Sequence, residues 1–189
     1  MSNELIIDSL QRRMKALHSL YDQALSTMTI DHVNHFEREG VLPIAFSLFH
    51  ITNMIDASHM LITGEAPIWN DDWNARVQPA IADHGKHRTV GEMEAQRIGD
   101  YEEFKAYFAA VLNRTQAWLG TLTPGELDRV VIARPLPPQV ASTFSARVAG
   151  EQGITVLDAV ECWMYQHALR HMGEIELARG LVGLGGMTS

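Results

Sequence analysis

His167 and His171 stand four residues apart in the run Trp163-Met164-Tyr165-Gln166-His167-Ala168-Leu169-Arg170-His171-Met172-Gly173-Glu174. On a helix of about 3.6 residues per turn, that spacing leaves two side chains roughly 40° apart on one face. Two imidazoles so placed can grip one metal ion. An isolated pair at this spacing is also a common core arrangement, hydrogen-bonded to its neighbours. A third ligand would decide between the two, because a catalytic zinc usually takes three protein ligands and keeps one position open.

His50 is the best candidate for that ligand. It lies mid-helix on an apolar stripe, flanked by Phe46 and Met54. Three inward-facing imidazoles without a metal would each need partners for both ring nitrogens, an awkward requirement in a core. His59 is nine residues from His50, so helical phase turns it to the opposite side. His18 is adjacent in phase to an inner stripe and can line the same cavity. His32, His35, His84 and His87 lie in connecting segments, where solvated histidines are the rule. Glu174, three residues after His171 and seven after His167, shares their face. It can accept an imidazole N–H, act as a general base beside the metal, or simply face solvent near the helix end. Asn53, one turn from His50, is read as a satisfied core polar group. Cys162 is five residues before His167, roughly 140° round an α-helix, and is read as a buried structural cysteine.

Four long helical patterns carry these residues. The first runs from about Glu4 to Ser26, with Ile7, Leu10, Met14, Leu17, Tyr21 and Leu25 at helical spacing. The second starts near Leu42-Pro43 and ends at Gly64, with Phe46, His50, Met54, Ala57 and Leu61 on one stripe. The third opens at Asp100-Tyr101-Glu102-Glu103 and buries Phe104, Phe108, Val111, Thr115 and Trp118. The fourth follows Gly153, with Thr155 as N-cap, and Gly183, Gly185 and Gly186 stop it. Four such amphipathic helices predict an all-α four-helix bundle in one domain, residues 1–189. Two connections are long. Residues 65–99 hold Trp69 and Trp73, candidates either to cap the cavity or to pack on the surface, and a short helix over Trp73–Ile81. Residues 121–153 include an extended reading over Val140–Val148, which would give a small β-hairpin between helices three and four.

Bulk properties narrow the setting. A net charge of −8 with no basic run disfavours nucleic acid as a partner. One cysteine excludes an internal disulfide framework, and the N-terminus has no basic region followed by an apolar run. No stretch approaches the roughly 20 apolar residues of a membrane span. A cytoplasmic, membrane-free protein is the expectation.

Taken together, these histidines resemble the DinB/YfiT superfamily. Its pattern is one histidine in the second helix, here within Ile44-Ala45-Phe46-Ser47-Leu48-Phe49-His50-Ile51, and a His-x-x-x-His pair in the fourth, here followed by Met172-Gly173-Glu174-Ile175. The lead-in Gly153-Ile154-Thr155-Val156 is similar too, and the likeness covers nearly the whole chain. The resemblance implies a divalent metal on His50, His167 and His171, zinc first and nickel or iron as alternatives. It implies a small-molecule substrate, a homodimer, and transferases or isomerases that use a low-molecular-weight thiol. The family name refers to DNA-damage induction and implies no DNA binding. The alternatives are a hydrolase working through metal-bound hydroxide and a metal- or ligand-binding protein without turnover. A basic patch would favour an anionic thiol; the sequence offers only the scattered Arg76, Arg88, Arg134 and Arg147.

Overall fold

The computed structural model describes residues 3–187. Helix α1 (Asn3–Thr27) buries Ile7, Leu10, Met14, Leu17, Tyr21, Ala24 and Leu25, the stripe that its spacing predicts. A single turn, α2 (Ile30–Asn34), leads to α3 (Ile44–Thr63). Short helices α4 (Asp71–Val77) and α5 (Val90–Met93) interrupt the first long connection, and α6 (Tyr101–Leu119) follows. The final helix is continuous over 156–181. It comprises α9 (Val156–Ala159), a wider π-helical stretch (Val160–Gln166) and α10 (His167–Leu181). Helix α3 packs on α6 and α10, while α1 packs on α6 and the final helix, so α1 and α3 stand diagonally across the bundle. The connection through α2 is therefore the crossover.

Local chemistry fixes the ends. Asp100 caps α6 by accepting the Glu103 amide at 3.0 Å. At the start of α9, Thr155 Oγ1 accepts the Asp158 amide at 3.2 Å, and Asp158 takes the Thr155 amide in return at 2.9 Å. Such reciprocal capping satisfies two donors that a helix start would otherwise leave orphaned. Buried Arg179 donates to Thr27 Oγ1 at 2.9 Å and to the Gly185 carbonyl at 3.2 Å, tying the end of α1 to the chain beyond α10.

Two expectations change. Helix α3 is not a one-sided amphipath: Ile51, Thr52, Asn53 and Ile55 are buried, whereas of the predicted stripe only Phe46 and His50 are, Met54 and Ala57 being partly buried and Leu61 exposed. The connection 65–99 covers its second face. Trp69 packs edge-on against Phe49 and tilts on Tyr107, where Trp73 also packs, so neither tryptophan lines the histidine cavity. The helix expected over Trp73–Ile81 is α4, which begins earlier because Asn70 caps it through the Trp73 amide at 3.0 Å.

The second change concerns residues 121–153. Val140–Val148 is not extended; it holds parts of the short helices α7 (Pro138–Ala141) and α8 (Phe144–Val148). Pro137-Pro138 presets the first turn, and Thr143 caps the next through the Ala146 amide. The small sheet lies outside them. Strand β1 (Val130–Ala133) pairs antiparallel with β2 (Gly153–Thr155). Gly153 has φ +136, and any Cβ there would collide with the Ile132 carbonyl, so this pairing requires glycine. The two strands anchor the N-terminus of the final helix, while α8 packs on its π-helical stretch and α7 packs on α8.

Candidate metal centre

His50 lies in the middle of α3, 8% exposed; His167 opens α10 and His171 follows one turn later. Their Nε2 atoms converge. His167 Nε2 is 3.0 Å from His171 Nε2 and 3.4 Å from His50 Nε2, and the three candidate ligand atoms all lie within 4.8 Å of one another. Phe46 stacks on the His50 ring at 5.4 Å between centroids, holding its plane.

The far sides of two of the rings orient them. His50 Nδ1 meets the backbone carbonyl of His84, which can only accept, so Nδ1 carries the proton. The loop reaches that far because Gly85 lies against the Phe46 ring at φ +73, where a Cβ would strike the ring at 2.7 Å. His171 Nδ1 donates to Glu174 Oε2 at 2.7 Å, and Ser47 Oγ donates to the same oxygen at 3.0 Å. These bonds hold the Glu174 carboxyl below its usual range, the His171 bond most of all, so it is an ionised acceptor. Both Nδ1 atoms point away from the cluster, so His50 and His171 turn Nε2 inward. His167 Nε2 can donate to at most one of them.

Electrostatics reinforces neutrality. Burial pushes His50 down to about 4, against the pull of the His84 carbonyl. Burial also pushes His167 down to about 3, helped by His171, His50 and the Arg170 guanidinium. At neutral pH these are uncharged rings with convergent acceptor atoms, an arrangement that a divalent cation satisfies and protein protons do not. The three-histidine group fits such an ion by donor type and spacing.

His50 and His167 open onto a cavity of about 420 Å³, walled by α3, the final helix and the α7–α8 segment. Among the described residues no aspartate or glutamate lines it. Glu174 and Ser47 instead line a separate recess of about 250 Å³ on the other side of the cluster. Glu174 thus supports His171 from behind and does not face the cavity as a base.

Cys162 corrects the phase argument. It lines the same cavity as His50 and His167. In the π-helical stretch each residue bonds five back instead of four, which brings residues five apart nearly into line. The 140° separation holds only for an ideal α-helix. Its thiol is nonetheless buried, and desolvation with Asp158 and Glu161 pushes it up to about 11, so it is protonated at neutral pH.

The remaining histidines have other roles. His59 is buried on the opposite face of α3, bonded to Glu65 at 3.1 Å and edge-on to Trp118, as its phase predicts. His18 does not line the cavity; its Nδ1 bonds Gln116 at 2.6 Å and its ring meets Phe108. His32 completes the cap of α2, and His35 pairs with Glu37. His84 contributes its backbone, not its ring. None of Arg76, Arg88, Arg134 or Arg147 lines the cavity; Lys86 and Arg170 do. Arg170 follows His167 by three residues, the same helical rule that identifies Glu174, so its place was available from spacing. Ser47, three residues before His50, was available in the same way. The His84 carbonyl carried no such signal.

The sequence and the fold both have relatives. The sequence profile of the DinB superfamily matches residues 13–175. The chain belongs to the DinB superfamily. The crystal structure of a conserved protein from Enterococcus faecalis superposes with a TM-score of 0.73 over 93% of this chain and 95% of that one, at 17% identity. That likeness is one of fold. No curated protein matches. No helix among the described residues is long and apolar enough to cross a membrane.

Proposed function

We propose that this DinB-superfamily protein is a metal-dependent enzyme whose divalent ion, zinc by preference, is held by His50, His167 and His171. The carrying observation is the convergence of three Nε2 atoms, two of them on rings oriented from behind. Such an ion, bound by neutral ligands, keeps its full charge and lowers the pKa of a thiol or water presented to it.

The reaction we favour is transfer or isomerisation using a low-molecular-weight thiol. A thiol loses its proton more readily than water does, and among the described residues no aspartate or glutamate lines the cavity to assist water attack. Cys162 is held protonated, so the thiol is a separate molecule. The chain's own part is to set the rings: His84 and Glu174 orient His50 and His171, and the apolar wall excludes water. A reducing cytoplasm would keep both the cofactor thiol and Cys162 reduced.

Metal analysis of purified protein tests the site. Wild type should hold close to one zinc per chain after zinc loading and desalting. His50→Ala, His167→Ala and His171→Ala should each lose most of it, and full occupancy in these variants would sink the triad. Zinc at a hundredfold excess over its dissociation constant should also stabilise wild type by about 2.7 kcal/mol, and the variants hardly at all. A turnover screen pairing electrophiles with several thiols, beside ester and amide substrates, tests the chemistry. Cleavage independent of added thiol would favour the hydrolase reading instead.

A further inference from the structure

The cavity has a polarity of its own that the metal site does not explain. Its floor holds His50 and His167. Its walls are largely apolar, with Met54, Leu61, Phe144 and Trp163 among them. Two cations, Lys86 and Arg170, line it while remaining exposed, which places them at its mouth. Among the described residues neither forms an ion pair, although most arginines here have an acidic or backbone partner. A chain of net charge −8 has carboxylates enough to neutralise two surface cations. Yet among the described residues no aspartate or glutamate lines this cavity. The two cations come from different places, one from the loop that braces His50 and one from the turn after His167.

We propose that the cavity takes a small organic anion, its apolar body along the Met54–Leu61–Trp163 wall and its carboxylate between Lys86 and Arg170 at the mouth. This deepens the metal-site reading and rests on it in one respect: the uncharged end of the ligand then lies toward the histidine cluster, where a reacting atom would belong. Arg170 is close enough to His167 to act on it electrostatically, so rim and floor belong to one site. Paired hydroxyls of Thr143 and Ser145, 2.7 Å apart on the α7–α8 side, add polar contacts to a pocket otherwise suited to hydrocarbon.

Calorimetric titration of metal-free, full-length protein with 4-phenylbutyrate and with the neutral 4-phenylbutan-1-ol tests this. The acid should bind about tenfold more tightly than the alcohol, the scale of a charge-assisted contact near water. That preference should shrink at high salt. Lys86→Gln and Arg170→Gln should each reduce it by about threefold and together remove it, with alcohol binding unchanged. Arg12→Gln, remote from the cavity, should preserve it. Equal binding of the two probes, no binding of the acid at millimolar concentration, or a preference that survives the double variant would overturn the proposal. Because no metal is present in these titrations, they fail or succeed separately from zinc retention by the triad.

Discussion

Helix α3 carries two buried polar centres six residues apart, and they are built on opposite principles. Asp56 is 1% exposed and fully engaged: its carboxylate accepts the Ile68 amide at 3.0 Å, the Trp69 amide at 2.8 Å, the Tyr107 hydroxyl at 3.3 Å and the Arg114 guanidinium. Every lone pair meets a donor from the chain, and the connection 65–69 is pinned as a result. At His50 the outward nitrogen is equally well engaged, but the inward one faces two more imidazole nitrogens. The first centre is closed by the protein; the second leaves ring nitrogens facing one another in a spacing that fits a bound cation. Burial alone does not distinguish structure from site. The balance of donors against acceptors does.

The comparison breaks first at Asp56. Asp56→Ala should cost about 3–5 kcal/mol in urea denaturation, because it strands the Arg114 charge and frees two amides. His50→Ala should cost distinctly less in metal-free protein, since it removes an unsatisfied acceptor and its void opens onto an existing cavity. Comparable losses for the two would show that the histidine cluster is structural.

Acid should act on the second centre more selectively. In the metal-free fold His50 titrates at about 4 and His167 at about 3, against an ordinary value near 6.5. The unfolded chain takes up protons first, so their contribution is full above about pH 6.5 and is lost as pH falls toward 4 and then 3. The loss is on the order of 2–4 kcal/mol for His50. Urea midpoints measured from pH 7.5 to 4.5 should fall more steeply for wild type than for His50→Ala. Parallel curves would mean that His50 is not held neutral by the fold.

Glu174→Gln asks how much of the site lies behind it. The amide keeps the shape but loses the charge that draws on His171 and Ser47. Zinc affinity should fall about 10- to 100-fold, with unfolding free energy nearly unchanged. Unaltered affinity would return Glu174 to the status of a solvated surface residue. The smallest effect is expected at Cys162. Cys162→Ala should change stability by no more than about 1 kcal/mol and leave zinc binding intact. In wild type its reaction with thiol-specific alkylating reagents at pH 7 should be slow; fast labelling would show a thiolate that the surroundings do not favour.

The sequence made the bundle legible because its apolar residues repeat at helical spacing and its caps are explicit, as at Asp100 and Thr155. The histidine triad was legible for the same reason: His50, His167 and His171 obey helix geometry on two long elements. What escaped was whatever depended on departures from that geometry. Val140–Val148 is rich in β-branched and small residues, yet the Pro137-Pro138 start and the Thr143 cap make it helical. The π-helical stretch contains neither glycine nor proline, so nothing in its composition warned that Cys162 would turn into the cavity. The His84 carbonyl is a backbone group 34 residues from its partner, and no side-chain pattern encodes it.

That carbonyl has one more consequence. Only Gly85 separates it from Lys86, so a single short loop both orients a ring on the cavity floor and presents a cation at the rim. An ion that fixes His50 would restrain this loop, and an anion held by Lys86 would restrain the same loop from its other end. Occupancy at either position would then lower the ordering cost at the other, a coupling reciprocal by thermodynamic necessity.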